Sequence, residues 1–313
     1  MKKILFVLIC TIAVVFLFVA GKTAILPYLV QDANYGIPSL EKHGADTLFI
    51  GSSMFRQGID TKELNSEDHT TYLLAYNGLQ PYAELVTLDE VLDHIEIRTL
   101  VIDMYVYSLA AQPGMSDIRL FQGMPVSFIN RLFSHMKKYG DSDCFDLFEM
   151  VVQSNNEMLL SWPVSYPLIN SRYYRGSNVS KASGKTAENL EKEQVDLPSE
   201  LHLDGHQEEA LGEIIDLCLS KNIKIVFVET PKYMKLYDDN AYVDGFQQYL
   251  DLLKGKDVDI LISNYTAERC QIDESVTTYD FNSSEPSFFT DLLHLSAAGR
   301  GELSESLMRI LSE

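Results

Sequence analysis

Short, nearly continuous apolar runs recur along this chain, separated by longer stretches with helical periodicity. Runs of this kind are typical of strands that are buried on both faces of a parallel sheet. Five of them predict strands, at residues 47–50, 72–75, 100–102, 223–228 and 258–262. Helices are predicted at residues 83–94, 126–139, 144–155, 205–220, 243–255 and 296–311. The alternation predicts an α/β fold in which a central parallel sheet lies between two layers of helices.

The spacing of the predicted strands is uneven at one place. About 120 residues separate the third strand from the fourth, whereas a crossover between parallel strands needs only about a dozen. We therefore expect a long insertion after the third strand, at about residues 108–204. Its final part, residues 177–199, is polar and is expected to be mobile.

The first residues differ from the rest of the chain. Lys2 and Lys3 precede an apolar run over residues 4–20, close to the length that a membrane span needs. We predict a transmembrane anchor at 1–22, a connector at 23–44 and one domain at 45–313. A cleaved signal peptide is the alternative, although no small-x-small cleavage pattern follows the run. The two lysines predict a single-pass membrane protein whose domain is extracytoplasmic.

Charge and cysteine content narrow the class of protein. The formal net charge of −20 excludes nucleic acid as a partner, because such a surface repels phosphate backbones. Cys144, Cys218 and Cys270 lie outside the predicted anchor without metal-type spacing, and core packing is the expected role of Cys144 and Cys218. His202 and His206 have no evident third ligand, and no metal site is predicted.

Two short segments at opposite ends of the chain carry candidate chemistry. Gly51-Ser52-Ser53 follows the first strand, at the strand end where open α/β sheets bind ligands. Asp291 and His294 stand three positions apart before the last predicted helix. Taken singly, each segment has an ordinary interpretation, as a turn with an N-cap serine or as a loop acid and a surface histidine. Taken together, they supply a nucleophile, a base and an acid that orients the base.

This pair of segments resembles the SGNH or GDSL hydrolase superfamily. Gly51-Ser52-Ser53 is similar to the first block of the family, with Ser53 at the nucleophile position and Ser52 replacing the usual aspartate. Tyr76-Asn77-Gly78 resembles the second block, and Asp291-Leu-Leu-His294 the last. Residues 101–105 stand at the third block but lack its asparagine. The Gly-Ser-Ser form resembles the membrane-anchored branch that includes D-alanyl lipoteichoic acid transfer proteins and partners of membrane-bound O-acyltransferases.

The resemblance implies a three-layer, flavodoxin-like fold and a Ser53–His294–Asp291 triad that needs no cofactor. It also implies an oxyanion hole at Ser53 and Gly78, with Asn77 or Tyr105 as the third donor. Substrate binding is assigned to Tyr105 and to an aromatic and basic group in the insertion, which comprises Tyr166, Arg172, Tyr173 and Arg175. Solvated surface is the equally weighted alternative for that group.

The expected function is an extracytoplasmic serine acyltransferase or esterase, which acts on O-acyl groups of a cell-envelope polymer. Teichoic acid and exopolysaccharide are the candidate polymers, and a membrane-bound O-acyltransferase is the implied protein partner. The alternative is a non-catalytic protein that binds or assembles an envelope polymer on a degenerate SGNH scaffold.

Overall fold

The computed structural model describes residues 6, 9–14, 17, 35–66, 69–111, 117–121, 126–138, 172–178, 182–195, 200–238 and 240–311. Its strands are β1 (Thr47–Gly51), β2 (Thr71–Ala75), β3 (Thr99–Asp103), β4 (Tyr173–Tyr174), β5 (Ser177–Asn178), β6 (Lys224–Val228), β7 (Asp259–Ser263) and β8 (Val276–Tyr279). The five strands predicted from the sequence are β1, β2, β3, β6 and β7, which confirms them. The edge strand β8 and the small β4–β5 hairpin were not predicted.

The described α-helices precede, separate and follow these strands. They are α1 (Ile37–His43), α2 (Ser53–Gly58), α3 (Thr61–Leu64), α4 (Pro81–Leu92), α5 (Val106–Ala110), α6 (Val126–Lys138), α7 (Ala187–Glu191), α8 (Gly205–Ser220), α9 (Asn240–Leu253), α10 (Asn264–Ala267) and α11 (Ala297–Leu311). Short 3₁₀ turns cover Ile118–Phe121, Met234–Asp238 and Pro286–Phe288. The helix predicted at 144–155 lies outside the described residues, as does Cys144.

The main sheet is parallel, with strand order β2-β1-β3-β6-β7-β8. Without the hairpin strands, this is the doubly wound order 2-1-3-4-5 extended by one strand. In such a sheet the order in which strands are added reverses between β1 and β3, so a crevice opens at the carboxyl ends of these two strands. Ser53 begins α2 directly beyond β1, and therefore lies at this crevice.

Successive residues of each strand pack against opposite helical layers. Leu48 and Ile50 belong to a core with α1, α4, α5, α6, α8 and α9, whereas Phe49 belongs to a core with α2, α3 and α11. The same alternation in β3 places Leu100 and Ile102 on the first side and Val101 on the second. The α/β fold with a central parallel sheet is thus confirmed.

The ends of two helices show how the sequence sets their bounds. Asp204 caps α8 by accepting hydrogen bonds from the backbone N–H groups of His206 and Gln207. Ser296 caps α11, because its hydroxyl accepts from the N–H of Gly299 at 3.3 Å. Cys218 is fully buried on α8, as predicted for core packing.

The segments around the insertion and the N-terminus differ in part from expectation. Ser177, expected in a mobile stretch, is buried, and its hydroxyl donates to the carbonyl of Ile59 at 2.8 Å. Within the predicted connector, α1 places Ile37 and Leu40 in the core. No helix among the described residues has the length and apolar character needed to cross a membrane. Most of the predicted anchor lies outside those residues, and the anchor stays a prediction.

Candidate active site

The turn after β1 is built around a buried carboxylate. Asp103, at the end of β3, accepts hydrogen bonds from the N–H of Ser52 at 3.2 Å and from its hydroxyl at 2.5 Å. Gly51 is required beside it, since a Cβ at position 51 would lie 2.4 Å from the Cβ of Asp103. The Ser52 hydroxyl accepts in turn from the N–H of Met54 and caps α2. This arrangement fixes the start of α2, where Ser53 stands.

A short loop before α11 holds the acid and the base. Phe289 and Leu295 form an antiparallel bridge that closes the loop. Inside it, the Asp291 carboxylate accepts from the N–H groups of Leu293 at 2.8 Å and His294 at 2.9 Å. The His294 ring contacts the same carboxylate, with Nδ1 at 2.9 and 3.0 Å from the two Asp291 oxygens.

The structure brings this loop to the β1 turn. Ser53 Oγ lies 2.9 Å from His294 Nε2, although the two residues are 241 positions apart. An ionised carboxylate only accepts hydrogen bonds, so His294 carries its proton on Nδ1 and Nε2 is left to accept the Ser53 hydroxyl proton. Burial raises the pKa of Asp291, but the hydrogen bonds from His294 and the loop N–H groups outweigh it and hold that pKa below its usual value. The acid is therefore ionised and can orient the imidazole.

Two backbone N–H groups near Ser53 have no acceptor among the described residues. They are those of Ser53 itself and of Gly78, which lies exposed in the turn after β2 with a φ of +59°. This is the positive-φ region that glycine adopts without strain. The N–H of Asn77 is different, because it donates to Asp117 Oδ2 at 2.7 Å. Of the two predicted third donors, Asn77 therefore has only its side chain to offer.

Tyr105 also lies close to this site. It follows β3, and burial first, then the nearby charges of Asp103 and Asp291, raise the pKa of its phenol. The Lys232 ammonium lies 5.9 Å from the centre of its ring. Lys232 is fully buried after β6, where Nζ donates to the carbonyl of Thr230. Burial lowers the pKa of Lys232, while Asp103, Glu229 and Asp291 act in the opposite direction.

Three members of the aromatic and basic group predicted in the insertion are among the described residues: Arg172, Tyr173 and Arg175. Arg175 donates to the backbone carbonyls of Thr71, in β2, and Gly44, before β1. Both carbonyls lie near the amino-terminal ends of the strands, opposite to the end at which Ser53 stands. Arg172 is exposed, and Tyr166 lies outside the described residues. Tyr173 packs its ring against Tyr35, with ring centres 4.7 Å apart, and its hydroxyl accepts from Arg119. Of the described members, Tyr173 and Arg175 therefore contact different parts of the fold.

Several charged residues that the structure describes were not assigned a role from the sequence. Asp103 and Glu229 each follow an apolar strand directly, and that position was the available signal for them. Arg56, Asp117 and Arg119 carry no such signal, because they lie on a short helix and in the insertion. Among the described residues, no group of three or more His, Cys, Asp or Glu is arranged to hold a metal ion.

Comparisons with known proteins add little to this geometry. No family model matches the chain, and no curated protein matches it. Among solved structures, a candidate acylhydrolase from Bacteroides fragilis is 9% identical, with a TM-score of 0.41 over 92% of this chain and 94% of that one. A candidate platelet activating factor from Streptococcus pneumonia is 13% identical, with a TM-score of 0.38 over 96% and 98% of the two chains. Likenesses this weak carry no argument about this chain.

Proposed function

We propose that this protein is a serine acyltransferase or esterase with Ser53 as nucleophile, His294 as general base and Asp291 as the residue that orients the base. The observation that carries the proposal is the continuous contact from Ser53 Oγ through the His294 ring to Asp291, at 2.9 Å on both sides. A surface histidine and a capping serine would have no reason to meet in this geometry.

The first half of the reaction forms an acyl-enzyme. Ser53 Oγ attacks the ester carbonyl carbon as His294 Nε2 takes the hydroxyl proton. The carbonyl oxygen becomes an oxyanion, which the N–H groups of Ser53 and Gly78 stabilise, each worth roughly 3 kcal/mol. When the tetrahedral intermediate collapses, the bond to the alcohol oxygen breaks, and the alcohol leaves with the proton from His294.

The second half returns Ser53 to its starting state. His294 takes a proton from an acceptor hydroxyl as the oxygen of that group attacks the acyl carbon. The bond from the acyl carbon to Ser53 Oγ then breaks, and His294 returns the proton to Ser53 Oγ. Water as acceptor completes an ester hydrolysis, and a sugar or polyol hydroxyl completes an O-acyl transfer. The three residues act in the same way in both reactions.

The proposed setting is the outer face of a cell membrane, with an O-acylated envelope polymer as substrate and a membrane-bound O-acyltransferase as partner. The sequence supports this setting through the two lysines and the apolar run that follows them. Five apolar side chains of that run are between 55% and 69% exposed: Phe6, Ile9, Ile12, Val14 and Leu17. Exposed apolar side chains grouped along one segment favour a membrane or protein partner.

A fluorophosphonate probe tests the nucleophile, because it phosphonylates only a serine that a base activates. We expect mass spectrometry of the full-length protein to find the adduct on Ser53. Ser53→Ala and His294→Ala should each abolish labelling, whereas Ser52→Ala should retain part of it. A folded wild-type protein that takes no label, or takes it on Ser52, would overturn the assignment and favour the non-catalytic scaffold.

A further inference from the structure

A second charged cluster, here called the arginine cluster, lies beside the turn after β2 and comprises Arg56, Asp117, Arg119 and Tyr173. Arg119 binds both oxygens of Asp117 through Nε and a terminal nitrogen, with Nε at 2.8 Å from Oδ1. Its other terminal nitrogen donates to the Tyr173 hydroxyl at 3.2 Å. Asp117 and Arg119 therefore satisfy one another, and this pair is electrically neutral.

Arg56 is the unneutralised member of the cluster. Among the described residues it forms no ion pair, and its buried Nε has no hydrogen-bond acceptor. Burial first, and then the charge of Arg119, lower the pKa of the Arg56 guanidinium, while Tyr173 and Asp117 act in the opposite direction. The residue as a whole is only partly buried, so a ligand from solvent can reach it.

The cluster holds two guanidinium groups and one carboxylate, in a protein whose formal net charge is −20. Removing an unpaired cation from water is unfavourable unless an opposite charge joins it. A guanidinium presents a planar set of donors that matches carboxylate and phosphate oxygens. An anion is therefore the ligand that would satisfy Arg56.

The cluster touches both sides of the proposed acyl site. Arg56 follows Ser53 by three positions on α2, so the two side chains neighbour each other along that helix. On the other side, the Asp117 carboxylate accepts a hydrogen bond from the N–H of Asn77. Asn77 directly precedes Gly78. A group bound at Arg56 thus lies beside an ester held between Ser53 and Gly78.

We infer that Arg56 binds an anionic oxyacid group, phosphate or carboxylate, carried by the substrate close to its ester. The position of that ester rests on the proposed function, whereas the anion site does not. The substrate class is then an acylated alcohol that bears a negative charge near the acyl group, in place of a neutral ester.

The test is direct binding of inorganic phosphate and of acetate, measured by isothermal titration calorimetry on full-length Ser53→Ala protein. This variant removes turnover, so the result does not depend on activity. We expect at least one anion to bind, and Arg56→Met in the same background to weaken that binding roughly tenfold or more. Tighter binding of phosphate assigns a phosphate-bearing substrate, and tighter binding of acetate a carboxylate-bearing one.

Two further variants keep the result interpretable. Arg56→Lys retains the charge but loses the planar donors, and should bind with intermediate affinity. Arg98→Met is the matched control, because the Arg98 side chain is 83% exposed at the opposite sheet edge, and its binding should equal that of the parent. Failure of both anions to bind, or equal binding by Arg56→Met, would overturn the inference. Fluorophosphonate labelling of Ser53 reports separately on the proposed function.

Discussion

At the carboxyl ends of β1 and β7, a serine caps the next helix. A buried acid at the end of the neighbouring strand accepts hydrogen bonds from the N–H and the hydroxyl of that serine. Asp103 does this for Ser52, and Glu229 does it for Ser263 at 2.9 and 3.1 Å. The two constructions lie on either side of the sheet centre, since β1 adjoins β3 and β7 adjoins β6. The two sites differ in how many oxygens of the acid accept hydrogen bonds.

Both oxygens of Glu229 have partners, because Tyr237 and Thr266 donate to Oε1 while Ser263 binds Oε2. Asp103 binds Ser52 through Oδ2 alone, and its buried Oδ1 has no partner among the described residues.

The residues after the two serines differ as well. Asn264 turns its side chain back to accept from the N–H groups of Tyr265 and Phe281, which ties its loop together. Ser53 instead points its hydroxyl at His294. A buried polar atom without a hydrogen-bond partner calls for an explanation in a native fold. Here that atom belongs to Asp103, the acid beneath the proposed active site, and functional sites are where such departures are expected.

The largest expected difference lies in the residue after each serine. Ser53→Ala should lower kcat/KM for p-nitrophenyl acetate by at least about 10⁴-fold, because no nucleophile remains. Asn264→Ala should change it less than about threefold, because that side chain serves only its own loop. Comparable losses of kcat/KM in the two purified, folded variants would show that the nucleophile does not lie at the end of β1.

Changing each acid should separate activity from stability. Asp103→Asn should lower kcat/KM about 10- to 100-fold, because the turn beneath Ser53 loses a charged acceptor. Glu229→Gln should instead lower the free energy of unfolding by about 1–3 kcal/mol, because an NH₂ group then faces hydrogen-bond donors. Urea unfolding and steady-state kinetics on both variants check this. The prediction is wrong if Glu229→Gln lowers kcat/KM, corrected for the folded fraction, more than Asp103→Asn does.

The pH dependence of stability tests the unsatisfied acid. Burial raises the pKa of Asp103, although Lys232 and the hydrogen bonds from Ser52 oppose the shift. A raised pKa means that the folded state favours the protonated acid. The associated stability is present below the unfolded pKa of about 3.9 and is lost as pH rises through the folded pKa.

Asp103→Asn removes this titration. Its free energy of unfolding should therefore improve relative to wild type as pH rises from about 4 to 7. Urea unfolding of both proteins at several pH values measures the difference. The raised pKa is contradicted if the difference in unfolding free energy stays constant, or if it changes in favour of wild type as the pH rises.

The smallest expected effect concerns the capping serines themselves. Ser52→Ala and Ser263→Ala each remove an N-cap hydroxyl and should each cost about 1 kcal/mol of unfolding free energy. Ser52→Ala should keep a measurable fraction of esterase activity, since Ser53 retains its base. Thermal unfolding and p-nitrophenyl acetate hydrolysis are the measurements. Complete loss of activity in a stable Ser52→Ala protein would point to Ser52 as the nucleophile.

Local patterns were sufficient to predict much of this fold. Five apolar runs predicted five strands, because strands that are buried on both faces have nearly continuous apolar sequences. β8 was missed because only its last residue, Tyr279, is buried, while Thr277 and Thr278 are exposed. An edge strand of this kind has too little apolar character to stand out.

The site was predictable only where residues lie next to a strand end or a helix start. Ser53, Asp291 and His294 meet this condition, and the structure brings them together. The arrangement of Arg56, Asp117 and Arg119 depends on a long-range contact between the insertion and the turn after β2. Local sequence patterns do not predict that contact. The same holds for Arg175, whose guanidinium donates to the carbonyls of Thr71 in β2 and Gly44 before β1, both far away in the chain.

The 241 positions between Ser53 and His294 have a consequence for the order in which the protein is made. A ribosome adds about 5–20 residues per second, so the histidine is synthesised roughly 10–50 s after the serine. Throughout that interval the Ser53 hydroxyl has no base and is as unreactive as any free serine. The proposed nucleophile of the nascent chain is therefore unactivated. Ser53 can contact His294 only when nearly the whole domain has been translated and can fold.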